Sequence, residues 1–233
     1  MCTAAAAVLV GCAGAQPPQP APPEPTVGQQ PRSLPPETVR TVTPPPRPRP
    51  ATVQPVTAAD LASTWRPGCP VPPEQLRRVE LEHVGFDGRT HRGVLVVHQD
   101  VVDEVVDVFG DLLAQGFPIE RMRTPDHYPN ADDELSMRDN NTSAFNCRDI
   151  PGTGSWSLHA YGRAVDINPK LNPYIDRRGD IQPANSGPWV DRTRTDPGMV
   201  HDGDGVVRAF ADRGWRWGGH WRTPKDYQHY ERK

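Results

Sequence analysis

VELEHVGFDGRTHRGVLVVHQDVVDEVVDVFGDLLAQG, residues 79–116, reads as strand, turn, strand and helix in succession. Val79-Glu80-Leu81-Glu82 alternates apolar and charged side chains, the period of a strand with one buried face. Asp87-Gly88 is a hairpin turn signal, and residues 94–97 supply the returning strand. Asp100 is placed to cap a helix in which Val102, Val105, Val106, Phe109, Leu112 and Leu113 recur on one face. Gly116 ends that helix and Pro118 keeps it from resuming. A hairpin that runs straight into a helix is not the βαβ rhythm of a parallel sheet. The expected class is α+β, a single domain with a small antiparallel sheet flanked by helices.

Working outward, residues 119–122 read as a short strand and residues 125–141 as a long polar surface loop. Asp132-Asp133-Glu134 falls on its solvated face. Residues 142–147 and 164–168 are strand candidates. Asp204 is placed to cap a short helix over 206–212 that ends at Gly214, and residues 227–231 read as a last strand. Asp202-Gly203-Asp204-Gly205 lacks the further ligands of a calcium loop and reads as turn plus N-cap.

Before this domain the composition changes. Of 29 prolines in 233 residues, 15 lie between Pro17 and Pro55, so that stretch cannot bury enough surface to offset its ordering entropy. Residues 13–58 are expected to form a Pro-rich disordered tether, an extended semi-rigid spacer, and residues 59–233 the folded domain. A net charge of −3 carries no polyanion-binding signal, so nucleic acid is not an expected partner. No apolar run reaches the ~18 residues that a membrane span needs. Ahead of the tether, Leu9-Val10-Gly11-Cys12 resembles a bacterial lipobox. The resemblance implies a signal peptide over residues 1–12, a lipid anchor on Cys12, and export to the outer face of the membrane in the cell envelope.

With Cys2 and Cys12 assigned to the signal, Cys69 and Cys147 remain of the four cysteines. In an oxidising compartment such a pair tends to be bridged, the alternative being two buried thiols. Without a CxxC they offer no cysteine-based zinc site.

The eight histidines divide sharply. His83, His91 and His98 sit on or near the hairpin, His127 and His201 in polar loops, and His220 beside Gly218-Gly219 reads as solvated or stacking. His159 and His229 have different company. A strand from Ala164 puts Val165 and Ile167 on one face and Asp166 on the other, and His159 can fold back toward it across Gly162. Two imidazoles and one carboxylate are a catalytic zinc set with a fourth position left for water. Zn²⁺ beside one carboxylate leaves a net positive site, which lowers the pKa of bound water toward ~7.

Ser157-x-His159-x-x-Gly162-x-Ala164-x-Asp166, followed by Asp226-x-x-His229, resembles the zinc D-Ala-D-Ala carboxypeptidase family. That family includes VanY- and VanX-type peptidases and L-alanyl-D-glutamate endolysins. Asn172-Pro173-Tyr174 and the residues from Trp215 to Trp221 resemble it too. The resemblance implies Zn²⁺ on His159, Asp166 and His229, with the zinc site on the sheet. It implies Asp226 as general base, Ser157 near the substrate or behind the metal ligands, and Arg148 steadying the scissile carbonyl, with Arg138 as a rival for that role. The implied function is hydrolysis of peptidoglycan stem peptides, as a D-alanyl-D-alanine carboxypeptidase. An endopeptidase of the cell wall and a non-hydrolytic wall-binding lipoprotein are the alternatives. A degenerate binding protein should first lose a ligand or the base, and all four residues are present.

Overall fold

The computed structural model describes residues 50–150 and 152–233. The signal segment 1–12 with Cys12, and most of the expected tether, lie outside the described residues. In chain order the elements begin with β1 (Thr52–Pro55), α1 (Ala58–Leu61), β2 (Leu76–Val84), β3 (Thr90–His98) and α2 (Val102–Gln115). Next come β4 (Arg121–Met122), α3 (Asp133–Arg138), β5 (Asn141–Thr142) and β6 (Ala164–Asp166). The chain continues with β7 (Tyr174–Ile175), β8 (Ile181–Gln182), α4 (Gly205–Ala211), β9 (Arg216–Trp217), β10 (Lys225–Asp226) and β11 (His229–Glu231).

The hairpin and helix form as the pattern requires. β2 and β3 pair antiparallel from Leu76↔His98 to Val84↔Thr90. Val79 and Leu81 face the core together with Leu95 and Val97. Val105, Val108, Phe109 and Leu112 of α2 fill the same core, so the alternation of the strands meets the 3.6-residue period of the helix there. Gly116 closes α2 in the left-handed region, at φ 68°, which only glycine adopts without a Cβ penalty. Trp215 Nε1–H donates to Glu104 Oε2 at 2.7 Å, which ties the first turn of α2 to the start of β9. Val165, Ile167, Phe210 and Tyr230 complete this core from the C-terminal half.

The antiparallel character holds, divided among several small sheets. Three three-stranded sheets have the orders β1-β2-β3, β10-β7-β8 and β6-β11-β9. A further pair, β4 with β5, is parallel. A second core of Val56, Leu61, Val71, Leu76, Val96, Phe145 and Cys147 lies beside the first. The Cys69–Cys147 disulfide borders it and closes a separation of 78 residues, worth about 4 kcal/mol in the chain-entropy account. Among the described residues no helix is long and apolar enough to cross a membrane.

Three sequence expectations need correction. The domain does not begin at residue 59: β1 pairs with β2 from Thr52↔Glu80 to Pro55↔Arg77. Thr57 and Asp60 form a capping box on α1. β1 is a mostly exposed edge strand, so it shows no apolar alternation and tolerates proline. Residues 125–141 are not a solvated loop. Asp132 Oδ1 accepts from Leu135 N at 2.8 Å and starts α3, while Ser136, Met137, Asn140 and Asn141 are buried. Six residues are too few to print a helical period. Asp100 caps nothing in α2. His98 Nδ1 accepts from the Asp100 backbone N–H, and the Asp100 carboxylate pairs with Arg163 at 2.8 Å. Asp204 does hold the N-cap position of α4, but its carboxylate turns back to accept from His201 N at 2.7 Å.

Two glycines should respond in opposite directions to alanine. Gly162 has φ +66°, and a Cβ there would meet His98 N at 2.6 Å. Gly162→Ala should lower unfolding free energy by about 1–3 kcal/mol. Gly110 lies inside α2 with open space around it. Gly110→Ala should raise unfolding free energy by about 0.5–1 kcal/mol. Urea titration of the two variants measures both.

Candidate metal centre

Ser157 starts the chemistry by capping a single 3₁₀ turn. Its Oγ accepts from His159 N at 3.2 Å, and the turn Leu158–Tyr161 ends at Gly162 in the left-handed region. Gly162 O then accepts from His98 N at 2.8 Å, which fastens the turn to the end of β3. His159 is thereby buried and aimed at β6. Ser157 is itself buried, and its contact is with the His159 segment.

Strand register supplies the rest. β6 and β11 pair antiparallel with Asp166 directly opposite His229 and Val165 opposite Tyr230. Directly opposed residues share a face, so the carboxylate meets the imidazole on one side while Val165 and Tyr230 enter the core on the other. Asp166 Oδ2 lies 3.1 Å from His159 Nε2, and Asp166 Oδ1 lies 3.1 Å from His229 Nδ1. The two ring nitrogens are 3.2 Å apart. The ligand atoms of this trio all fall within 4.8 Å of one another.

His159 Nδ1–H donates to Ala144 O at 2.6 Å, so Nε2 presents its lone pair to the trio. Buried carboxylate oxygens and two ring nitrogens then converge on one point. A cation with nitrogen and oxygen preference fits that donor set, and Zn²⁺ fits best with two imidazoles and one carboxylate. Burial works against ionised Asp166, yet the two imidazoles outweigh it and hold the carboxyl far below its ordinary range. Burial also works against protonated His229. Its Asp166 and Glu231 partners win, and its pKa rises to about 10.

Asp226 approaches from β10, opposite Tyr174 of β7. It is not in the trio, and its Oδ1 is buried without a hydrogen-bond partner. Burial pushes its pKa up to about 7, aided by Asp166 and Asp133 and opposed by His229 and Arg148. Arg148 is thus within electrostatic reach of Asp226. Its Nη2 pairs with Asp133 Oδ2 at 2.9 Å, while its Nε is buried and unpartnered. The rival Arg138 pairs instead with Glu134 along α3 at 2.8 Å, half-exposed.

The other histidines are accounted for outside the trio. His220 pairs with Asp202 at 2.8 Å and lies edge-on to Trp217. His201 meets Asp204 and Arg194 O, and His91 meets Asp87. Sequence reasoning missed Asp133, which it placed on a solvated face, and Glu231, whose Oε2 lies 3.5 Å from His229 Nε2. The period of two along β11 puts Glu231 on the His229 face and was the available signal.

Residues 151–232 match the family model described as D-alanyl-D-alanine carboxypeptidase. This bears out the resemblance drawn from the motifs and supports a hydrolase of the peptidase class. It contains the trio, Asp226 and Ser157, while Arg148 lies just ahead of it. No curated protein and no solved structure matches the chain.

His159→Ala, Asp166→Ala and His229→Ala should each abolish stoichiometric zinc uptake, whereas Asp226→Asn should retain it. Binding needs neutral His229, so zinc affinity should rise with pH across the range below about 10. Near neutral pH about one proton should leave per zinc bound. Calorimetry in buffers of different ionisation enthalpy reads that proton.

Proposed function

We propose that this chain is a zinc metallopeptidase that hydrolyses peptidoglycan stem peptides, acting as a D-alanyl-D-alanine carboxypeptidase. The observation that carries the reading is a half-buried carboxylate, Asp226, whose Oδ1 is buried and unpartnered beside a His–Asp–His trio. The family match over residues 151–232 supports the peptide substrate.

His159, Asp166 and His229 would hold the metal. When bound, zinc supplies Lewis acidity and an acidified water. Asp226 accepts a proton from the attacking water and delivers it to the leaving amine. A pKa of about 7 suits both transfers, because the group is then neither too weak a base nor too weak an acid. Arg148 offers its unpartnered Nε–H to the oxygen that gains charge as the carbonyl becomes tetrahedral. Asp133 fixes that guanidinium by its pair at 2.9 Å. Ser157 holds the His159 backbone, and through it the ring.

The cellular placement is part of the same proposal. A lipid on Cys12 and a Pro-rich tether would hold the domain at the outer face of the membrane, within reach of the wall. A Cys12→Ala variant should then leave the membrane fraction, and its retention there would refute the anchor.

Incubating the protein and zinc with defined muropeptides should release terminal D-Ala, identified by mass. A cut inside the stem or crossbridge would make it an endopeptidase, and no product would favour a wall-binding protein. Asp226→Asn should keep zinc and lose about 10²–10⁴-fold in turnover. In the unmodified protein, kcat/KM should fall as pH is lowered through about 7, since protonated Asp226 cannot accept a proton. With zinc kept saturating throughout, Asp226→Asn should lack that limb.

A further inference from the structure

His229 has two ring nitrogens with different tasks. Nδ1 faces Asp166 and His159, at 3.1 and 3.2 Å. Nε2 faces the other way, and Glu231 Oε2 stands 3.5 Å from it. That is long for a hydrogen bond, yet it sets a carboxylate opposite the nitrogen that must carry the proton if Nδ1 is to bind a metal. Glu231 is buried, an unusual state for an acid unless it is paired.

Its other oxygen is paired. Strand register places Arg216 of β9 directly opposite Glu231, and Arg216 Nη2 contacts Glu231 Oε1. The Arg216 side chain is half-exposed and the Glu231 side chain is not, so the charge line runs from solvent through Arg216 and Glu231 to His229. The two registers of β11 set both ends of this line: β6 opposite it supplies Asp166, and β9 opposite it supplies Arg216. The Trp221 ring lies 5.5 Å from the His229 ring, tilted across it, and further restricts how the imidazole can turn.

We propose that Glu231, clamped by Arg216, is a positioning residue that accepts the Nε2–H of His229 and so holds the ring with Nδ1 free to bind the divalent cation. This rests on the reading of His159, Asp166 and His229 as metal ligands. A carboxylate behind a ligating imidazole fixes its tautomer and raises its basicity, and losing such a partner costs 10- to 100-fold in metal affinity as a rule.

The test is zinc affinity of the full protein, measured by competition with a chromophoric chelator, for E231A, E231Q and R216M. E231A should weaken zinc binding about 10- to 100-fold. E231Q retains an acceptor oxygen and should recover most of that loss. R216M touches a half-exposed side chain and should give a smaller loss with unchanged thermal unfolding of the metal-free protein. Nitrogen NMR of His229 should report the Nε2–H tautomer in the zinc-loaded wild type and in E231Q. Wild-type affinity in both E231A and R216M would overturn the proposal, as would equal loss in E231A and E231Q. If E231A fails to fold, E231Q and R216M still decide: wild-type affinity in R216M with the Nε2–H tautomer absent from the wild type would overturn it. A wild-type protein that takes up no more zinc than His159→Ala would instead overturn the metal reading, and this inference with it.

Discussion

The cross-strand pair of Asp166 and His229 is only as secure as the register of two very short strands. β6 and β11 have three residues each, too few to hold a register by backbone bonds alone. What fixes it is the opposite face. Val165 and Tyr230 are fully buried, and the Tyr230 ring stacks on Phe210 with centroids 3.9 Å apart. A slip by one residue would drive Asp166 into that core and expose Val165, so the hydrophobic core and the polar trio enforce a single alignment. Alternation along β11 then places Glu231 behind His229 without any further device.

The same alignment makes the centre costly to bury. A carboxylate and two imidazoles out of water need mutual pairing, and each partner here has at least two contacts within the cluster or to the backbone around it. Asp226 differs in kind. It is half-buried beside the cluster with its Oδ1 buried and unpartnered, and its carboxyl is pushed up to about 7. An unsatisfied buried carboxylate oxygen lowers stability, and the site where a fold tolerates that loss is where chemistry is expected.

The N-terminal part of the domain serves the site at a distance. Cys147, bridged to Cys69, sits one residue before Arg148, and Arg66 Nη1 donates to Cys147 O. On the other side α3 presents Asp133 to Arg148. The guanidinium is therefore held between a covalent anchor and an ion pair. Val56, just after β1, and Leu61 of α1 join the second core, which carries Phe145 and Cys147, and so support the same segment.

Local pattern was enough for the elements that bury one face over many residues. The alternation around Val79 and the helical spacing from Val102 to Leu113 printed the β2–β3 hairpin and α2, because a half-buried surface imposes its period on the chain. The family resemblance carried by Ser157, His159, Gly162, Asp166, Asp226 and His229 likewise pointed to the residues that the fold gathers as the trio and the nearby carboxylate. β1, α3 and the division into several small sheets were not legible: strands of two to four residues and a six-residue helix are too short to leave a period, and they exist only through long-range pairing. Nor could sequence assign Asp133 to Arg148 or Arg216 to Glu231. Those partners are separated by 15 residues in each case, and only the fold of α3 onto the Cys147 segment and the β9–β11 register brings their charges together.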